Sequence, residues 1–248
     1  MVEVYTVSGG KTKKDIQLPD TFNTPYRPDI IKRAFDALKS NTRQPQGMDP
    51  SAGLKTSADY FGNRRRSYRV TINRAMSRLP RTKPGGGGLG PVRRVPQSVG
   101  GRRAHPPKAE KKLGRKINKK EYKLALDSAI AATANKQIVA ERNKKHSEVG
   151  ELPIIVEDKL QKINKTRDLK TAIKKLGLTE HMQSKRKNRI LIVVDEDEGI
   201  RQAASNMQGI RLAKVNELDL DLLAPGSQAG VLTVYTEAAI KKMGEQAK

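Results

Sequence analysis

Cysteine and tryptophan are absent from this 248-residue chain, and phenylalanine and histidine occur only three times each. Without cysteine there is no disulfide framework, no thiolate zinc site and no thiol nucleophile. The three histidines, His105, His146 and His181, fit no metal-ligand spacing. Few aromatic rings leave few flat surfaces for bases to stack on, which weighs against a single-strand binder that grips bases by their faces. Acids are also scarce: 26 Asp and Glu face 50 Lys and Arg, for a net charge of +24. Such a charge repels itself unless phosphates neutralise it, so the composition points to nucleic acid or another acidic surface. No apolar run approaches the roughly 20 residues of a membrane span, and Met1-Val-Glu-Val-Tyr5 opens a strand rather than a signal peptide. A soluble, intracellular protein with no membrane partner is expected.

The charge is not evenly spread. Residues 42–108 hold twelve Arg, three Lys and only two acids, Asp49 and Asp59, a net +13 over 67 positions. The flanking stretches carry +2 over residues 1–41 and +12 over 109–189, and residues 190–248 carry −3. With ten Gly, eight Pro and no helical or alternating apolar period, residues 42–108 bury too little surface on their own to offset the entropy of ordering them. Loops longer than about 15 residues inside compact domains are uncommon and usually functional or disordered. The segment therefore predicts a loop that a polyanion orders.

On either side the apolar periods return. Val2 to Val7 alternate as a strand. Pro28, Asp29 and then Ile30, Ile31, Ala34, Phe35 and Leu38 describe a helix over 28–40. Asn118 and Glu121 read as a capping pair for a helix running to about 137, whose Ala-rich face allows close approach to the helix before the loop. Strands are predicted at 153–156, 190–194, 210–215 and 231–235, alternating with helices at 169–176, 199–207 and 237–245, with 218–223 irregular. This alternation predicts an α/β domain, residues 1–41 and 109–248, with a mainly parallel sheet covered by helices on both faces. One long irregular basic loop, residues 42–108, is inserted in it.

Gly85, Gly87 and Gly90 satisfy the letters of a dinucleotide fingerprint. Pro84 and Pro91 on either side supply neither the strand nor the helix that the motif needs, so a flexible backbone that lies flat against another is the better reading. Asp195-Glu196-Asp197-Glu198 follows the strongest strand and could in principle hold Mg²⁺. Adjacent acids on one turn rarely converge on an ion, and a solvated surface run is expected. No nucleophile elbow and no paired His and acid are visible, so no catalytic residues and no cofactor are assigned.

The loop favours Arg over Lys. A guanidinium can fork two phosphate oxygens or stack on a base, which suits intimate contact with the crevices of RNA. The expected RNA-binding residues are Arg64, Arg65, Arg66, Arg69, Arg74, Arg78, Arg81, Lys83, Arg93, Arg94, Arg102, Arg103 and Lys108. Lys111-Lys112, Lys119-Lys120 and Lys185-Arg186-Lys187 are expected to reach phosphates as point charges. A generic basic tail is the bland alternative, but tails are terminal and this segment is pinned at both ends.

Several stretches together resemble a known family. Arg93-Arg-Val-Pro-Gln97, Gly101-Arg-Arg-Ala-His-Pro-Pro-Lys108, Asn118-Lys-Lys-Glu121 with Ser128-Ala-Ile-Ala-Ala-Thr133, and Leu223-Ala-Pro-Gly226 with Leu232-Thr-Val-Tyr-Thr-Glu237 are similar to the archaeal and eukaryotic branch of the fourth universal protein of the large ribosomal subunit. The resemblance implies a Rossmann-like body, a non-catalytic role in the cytoplasmic ribosome, and a loop threaded into large-subunit ribosomal RNA. It also implies neighbouring ribosomal proteins as partners, among them the one conventionally numbered twenty-two. The loop tip, with Arg74, Arg78 and Arg81, would lie beside the nascent-peptide exit tunnel. Many relatives carry a Gly-rich turn before Arg-Ala near the tip; here Thr71-Ile-Asn73 precedes Arg74-Ala75, and a wider bend is expected. The alternative from another class is an RNA-modifying enzyme on a nucleotide-binding fold.

Overall fold

The computed structural model describes residues 2–62, 69–142, 151–178 and 190–247. The chain forms two compact units, Met1–Thr42 with Gly114–Lys248, and Arg43–Leu113.

The first unit is a mixed α/β structure around a six-stranded sheet. Its strands are β1 (Val2–Tyr5), β2 (Lys11–Ile16), β3 (Ile154–Val156), β4 (Ile190–Val194), β5 (Ile210–Lys214) and β6 (Leu232–Thr236), in the order β2-β1-β3-β6-β4-β5. The β1–β2 hairpin is antiparallel and every other pair is parallel. β2 is absent from the sequence-based expectation for a physical reason. Lys-Thr-Lys-Lys-Asp-Ile has a single apolar residue, Ile16, pairs on one side only, and owes its conformation to β1 and to the turn closed by Thr6 N–H donating to Gly10 O at 2.8 Å.

β4 shows why the central strands are unbroken apolar runs. Leu191 and Val193 point into one core and Ile190, Ile192 and Val194 into another, because helices cover both faces of the sheet. On the first face lie α1 (Pro28–Asn41), α2 (Lys119–Ala134) and the C-terminal helix Glu237–Ala247. The other face is covered by the helices Thr166–Lys175 and Ile200–Ser205. α1 and α2 are in contact, and Ala34 of α1 and Ala125 and Ala129 of α2 are fully buried in the same core, as the Ala-rich face predicts. α2 ends at Asn135, and α3 (Lys136–Arg142) restarts at once, so the single helix expected to about 137 is two.

Asn118 does occupy the N-cap position of α2, but its side chain makes no capping bond. Glu121 pairs instead with Arg33 of α1 at 3.1 Å, which joins the two helices rather than closing one end. Within the core, Ser128 Oγ donates to Pro25 O at 3.1 Å and accepts from Arg27 N–H at 2.8 Å. Thr133 Oγ1 and the Tyr235 phenol lie 2.9 Å apart, so two of the stretches that carry the family resemblance meet in a buried polar contact. Arg142, at the end of α3, donates to the carbonyls of Gln228 and of Pro225, the latter at 3.3 Å. Burial lowers its pKa below the usual guanidinium value.

Candidate nucleic-acid interface

Residues 43–113 contain no regular element among the described residues beyond a 3₁₀ turn at Gly85–Gly87. Their order comes from backbone pairing between distant stretches. Met48 N–H donates to Pro107 O at 3.1 Å; Asp59 and Arg81 exchange both backbone bonds, at 3.0 and 2.9 Å; Arg93 N–H donates to Pro80 O at 3.0 Å. Thr71 sends its N–H (3.0 Å) and its hydroxyl (2.6 Å) to Phe61 O, and Ala58, Phe61, Val70 and Thr71 are buried. This small cluster is more internal structure than the composition alone suggests.

The sequence-predicted cations divide into two sets. Several bind the segment's own backbone. Arg69 donates to Pro84 O at 3.0 Å, Arg94 to Ala58 O at 3.2 Å and Arg93 to Val99 O, while Arg81 reaches Ser77 Oγ at 2.9 Å. The Lys83 ammonium sits 5.4 Å from the centre of the Phe61 ring and 3.7 Å from the Asp59 carboxylate. These side chains shape the segment. Arg74, Arg78, Arg102, Arg103 and Lys108 are exposed and form no ion pair among the described residues. Arg64, Arg65 and Arg66 lie outside the described residues, as do Lys185, Arg186, Lys187, His146 and His181.

Electrostatically, two of the three acids of residues 43–113, Asp49 and Asp59, are answered locally, and the third is Glu110. Asp49 pairs with Lys55, which together with the Ser51 N–H holds its carboxyl below the usual range, and Asp59 faces Lys83. The exposed arginines Arg74, Arg78, Arg102 and Arg103 are in no ion pair with an acid among the described residues, and each can fork a phosphate. Near Arg74 the chain turns at Asn73, which takes a left-handed backbone with φ 59°. Asn tolerates that region better than most residues, so the chain turns here without a glycine.

Two motifs acquire plain roles. Gly85–Gly87 turns between Pro84 and Gly88 in extended backbone, not at a strand-to-helix junction. In the acidic run, Asp195 pairs with Lys242 and Glu198 with Lys162 at 3.6 Å, while Asp197 Oδ1 accepts from the N–H groups of Gly199 and Arg201, each at 3.2 Å. The run thus ties down the turn after β4, and among the described residues no cluster of His, Cys, Asp or Glu is arranged to hold a metal ion. One basic surface escapes a reading by dipeptides. Arg167, Lys170 and Lys174 lie exposed along the Thr166–Lys175 helix, opposite buried Leu169, Ala172 and Ile173. Their three- and four-residue spacing is the signal that reveals it.

The sequence model of the family described as "Ribosomal protein L4/L1 family" matches residues 16–246. The chain belongs to the ribosomal protein L4/L1 family. Among its relatives are proteins named large ribosomal subunit protein uL4. That of Methanosphaera stadtmanae is 37% identical, with 98% of this chain and 96% of the relative covered. Those of Archaeoglobus fulgidus (38%; 95% of each chain) and Methanocaldococcus jannaschii (39%; 98% of each chain) are similar along nearly their whole lengths as well. The match to the L4/L1 family spans both compact units, the Arg-rich one included.

Proposed function

We propose that this chain is a non-catalytic structural constituent of the large subunit of the cytoplasmic ribosome, where it binds ribosomal RNA and neighbouring ribosomal proteins. The observation that carries the reading is the set of exposed cations Arg74, Arg78, Arg102, Arg103 and Lys108, without acid partners among the described residues, on a segment with no regular elements of its own, in a family whose relatives bear that ribosomal name. In this reading the parallel-sheet unit is a Rossmann-like body and residues 42–108 are the loop that enters the RNA. Arg69, Arg81, Lys83, Arg93 and Arg94, which bond within the segment, hold its shape, and Arg74, Arg78, Arg102, Arg103 and Lys108 meet phosphates; Arg64, Arg65 and Arg66, outside the described residues, are expected to bind RNA on their sequence alone. Phosphate contact by Arg and Lys supplies affinity with little sequence discrimination, which suits a protein that reads a folded RNA by its shape.

The tip of the loop, residues 71–84, is about 30 positions from either anchoring helix, and that length of extended chain reaches up to about 100 Å. Arg74, Arg78 and Arg81 at the tip would then stand beside the nascent-peptide tunnel while the body stays outside. Mass spectrometry of large subunits purified in high salt tests membership of the particle: the chain stays with the subunit if the reading holds and washes off if it is wrong. Cross-linking from position 78 tests the placement, with adducts to nascent peptide or tunnel-wall RNA expected and adducts confined to solvent-side RNA contrary to it.

A further inference from the structure

Within the Arg-rich unit, the turn at residues 48–54 and the limb at 102–110 enclose a bay of about 640 Å³, within the range of roughly 300–1,000 Å³ typical of small-ligand sites. Its shape is fixed by backbone at both ends. At one end Met48 N–H donates to Pro107 O at 3.1 Å. At the other, Gly53 lets the turn approach the backbone of Gly101 and Arg102 closely, and Gly101 in turn packs on the backbone of Val95. Gly53 has φ +77°, and a Cβ there would lie 2.4 Å from Gly101 O; a Cβ on Gly101 would lie 2.0 Å from Val95 O. Neither position accepts a side chain. The turn itself is closed by Asp49, whose carboxylate accepts from Ser51 N–H at 2.9 Å and pairs with Lys55.

The lining has two characters. Met48, Leu54, Pro106 and Pro107 are apolar, and Arg102 and Arg103 are exposed cations without an acid partner among the described residues. Asp49 is already neutralised by Lys55, so the acid left to itself in the bay is Glu110, on the Pro107 side. Lys108 also lines the bay, two residues from Glu110, so an anionic group is drawn most strongly to the Arg102–Arg103 side, where two adjacent cations stand with no acid beside them in sequence. A flat apolar body linked to a phosphate matches this polarity, and a nucleotide lifted out of its stack is such a body.

We propose that the bay receives one unstacked nucleobase of the bound RNA, seated between the Met48–Leu54 turn and Pro106–Pro107, with its phosphate forked by Arg102 and Arg103. The proposal rests on the RNA-binding reading and adds to it a single base contact. The scarcity of aromatic residues hides such a contact from composition, because prolines and guanidinium planes here do what rings do elsewhere.

The test uses the full chain and two RNA hairpins of equal length, one fully paired and one carrying a single bulged 4-thiouridine. The parent protein is expected to bind the bulged hairpin about tenfold more tightly, and irradiation to give adducts within residues 48–54 or 102–110. Ala52→Phe, which fills the bay without changing charge, is expected to abolish the preference while leaving the salt dependence of binding unchanged. Arg102→Gln with Arg103→Gln should weaken binding to both hairpins. Because the cross-link is read in the parent protein, the result survives a variant that fails to fold. Equal binding of the two hairpins by the parent, or adducts confined to other residues, as expected if a segment of a neighbouring protein fills the bay, would overturn the proposal. A parent chain that binds neither hairpin would overturn the RNA-binding reading itself.

Discussion

The phenol of Tyr122 donates a 2.5 Å hydrogen bond to the carboxylate of Asp219, and the same carboxylate accepts from Leu220 N–H at 2.6 Å. One side chain of α2 thereby fixes the start of the Leu220–Leu223 turn of helix. Burial first, and the Asp219 bond second, push the Tyr122 phenol far above its ordinary pKa, and burial pushes that of Tyr235 up to about 12.

Both shifts mean that the folded chain holds these protons longer than the unfolded chain does. The stability linked to them is complete below about pH 10, where an unfolded phenol titrates, and is lost as the pH rises above that value. Urea unfolding should show a steep fall in stability from about pH 10 upward. Tyr122→Phe should cost about 1–2 kcal/mol at pH 7 through the missing hydrogen bond and should flatten part of the alkaline slope. An unaltered slope would show that Tyr122 does not carry it.

The α1–α2 contact allows no added volume. Ala129→Leu places a larger side chain where Ala34, Ala125 and Ala129 are fully buried, and should destabilise the body by about 1–3 kcal/mol. Thermal unfolding reads this directly, and a neutral result would mean that the helices can separate at no cost.

Affinity for ribosomal RNA should fall steeply with salt. Removing Arg102 or Arg103 is expected to reduce the slope by roughly 0.7–0.9 for each phosphate left without its cation. Asp195→Asn should leave the slope as it is, since that carboxylate is engaged by Lys242. Filter binding at several salt concentrations separates these cases.

Trypsin should cut the free protein first after Arg74, Arg78, Arg102 and Arg103, which are exposed, and bound RNA should protect all four sites. Equal rates at these sites with and without RNA would argue against the interface.

Deleting residues 71–84 should leave the body's melting temperature within about a degree, because neither core cluster draws on the described residues of 43–113. The shortened chain should retain much of its RNA affinity and alter the passage of nascent chains or the response to tunnel-blocking antibiotics. A body that fails to fold after the deletion would contradict this division of the chain.

What the sequence disclosed follows the reach of the interactions involved. Ile190–Val194 is recognisable because a strand buried on both faces must be apolar throughout, and Pro28, Ile31 and Ala34 reveal α1 because the helical period is local. β2 is hidden, since Lys11–Ile16 has no apolar pattern and is extended only because β1 pairs with it. The basic segment is conspicuous as a composition, but its internal order is not. That Arg81 pairs with Asp59, or that Arg94 caps Ala58 O, depends on meetings between stretches about 20 and 36 residues apart. For the same reason, letters alone could not say which arginines bind the segment's own backbone and which do not.

Ser40 Oγ accepts a 3.0 Å hydrogen bond from Arg115 N–H, and Gly114 lies so close to Asn41 that a Cβ would come within 2.8 Å of its Oδ1. The Arg-rich segment therefore leaves and returns through one pinched neck. A basic tail has a free end and can be drawn through a finished opening, but a doubly anchored hairpin cannot. It enters a cleft only where two strands pass side by side, or else the RNA closes around it afterwards. If the segment enters RNA as proposed above, order of assembly becomes a matter of topology: the neck would favour binding while the RNA is still open, and a chain added to a completed particle would meet a kinetic barrier, however strong its affinity.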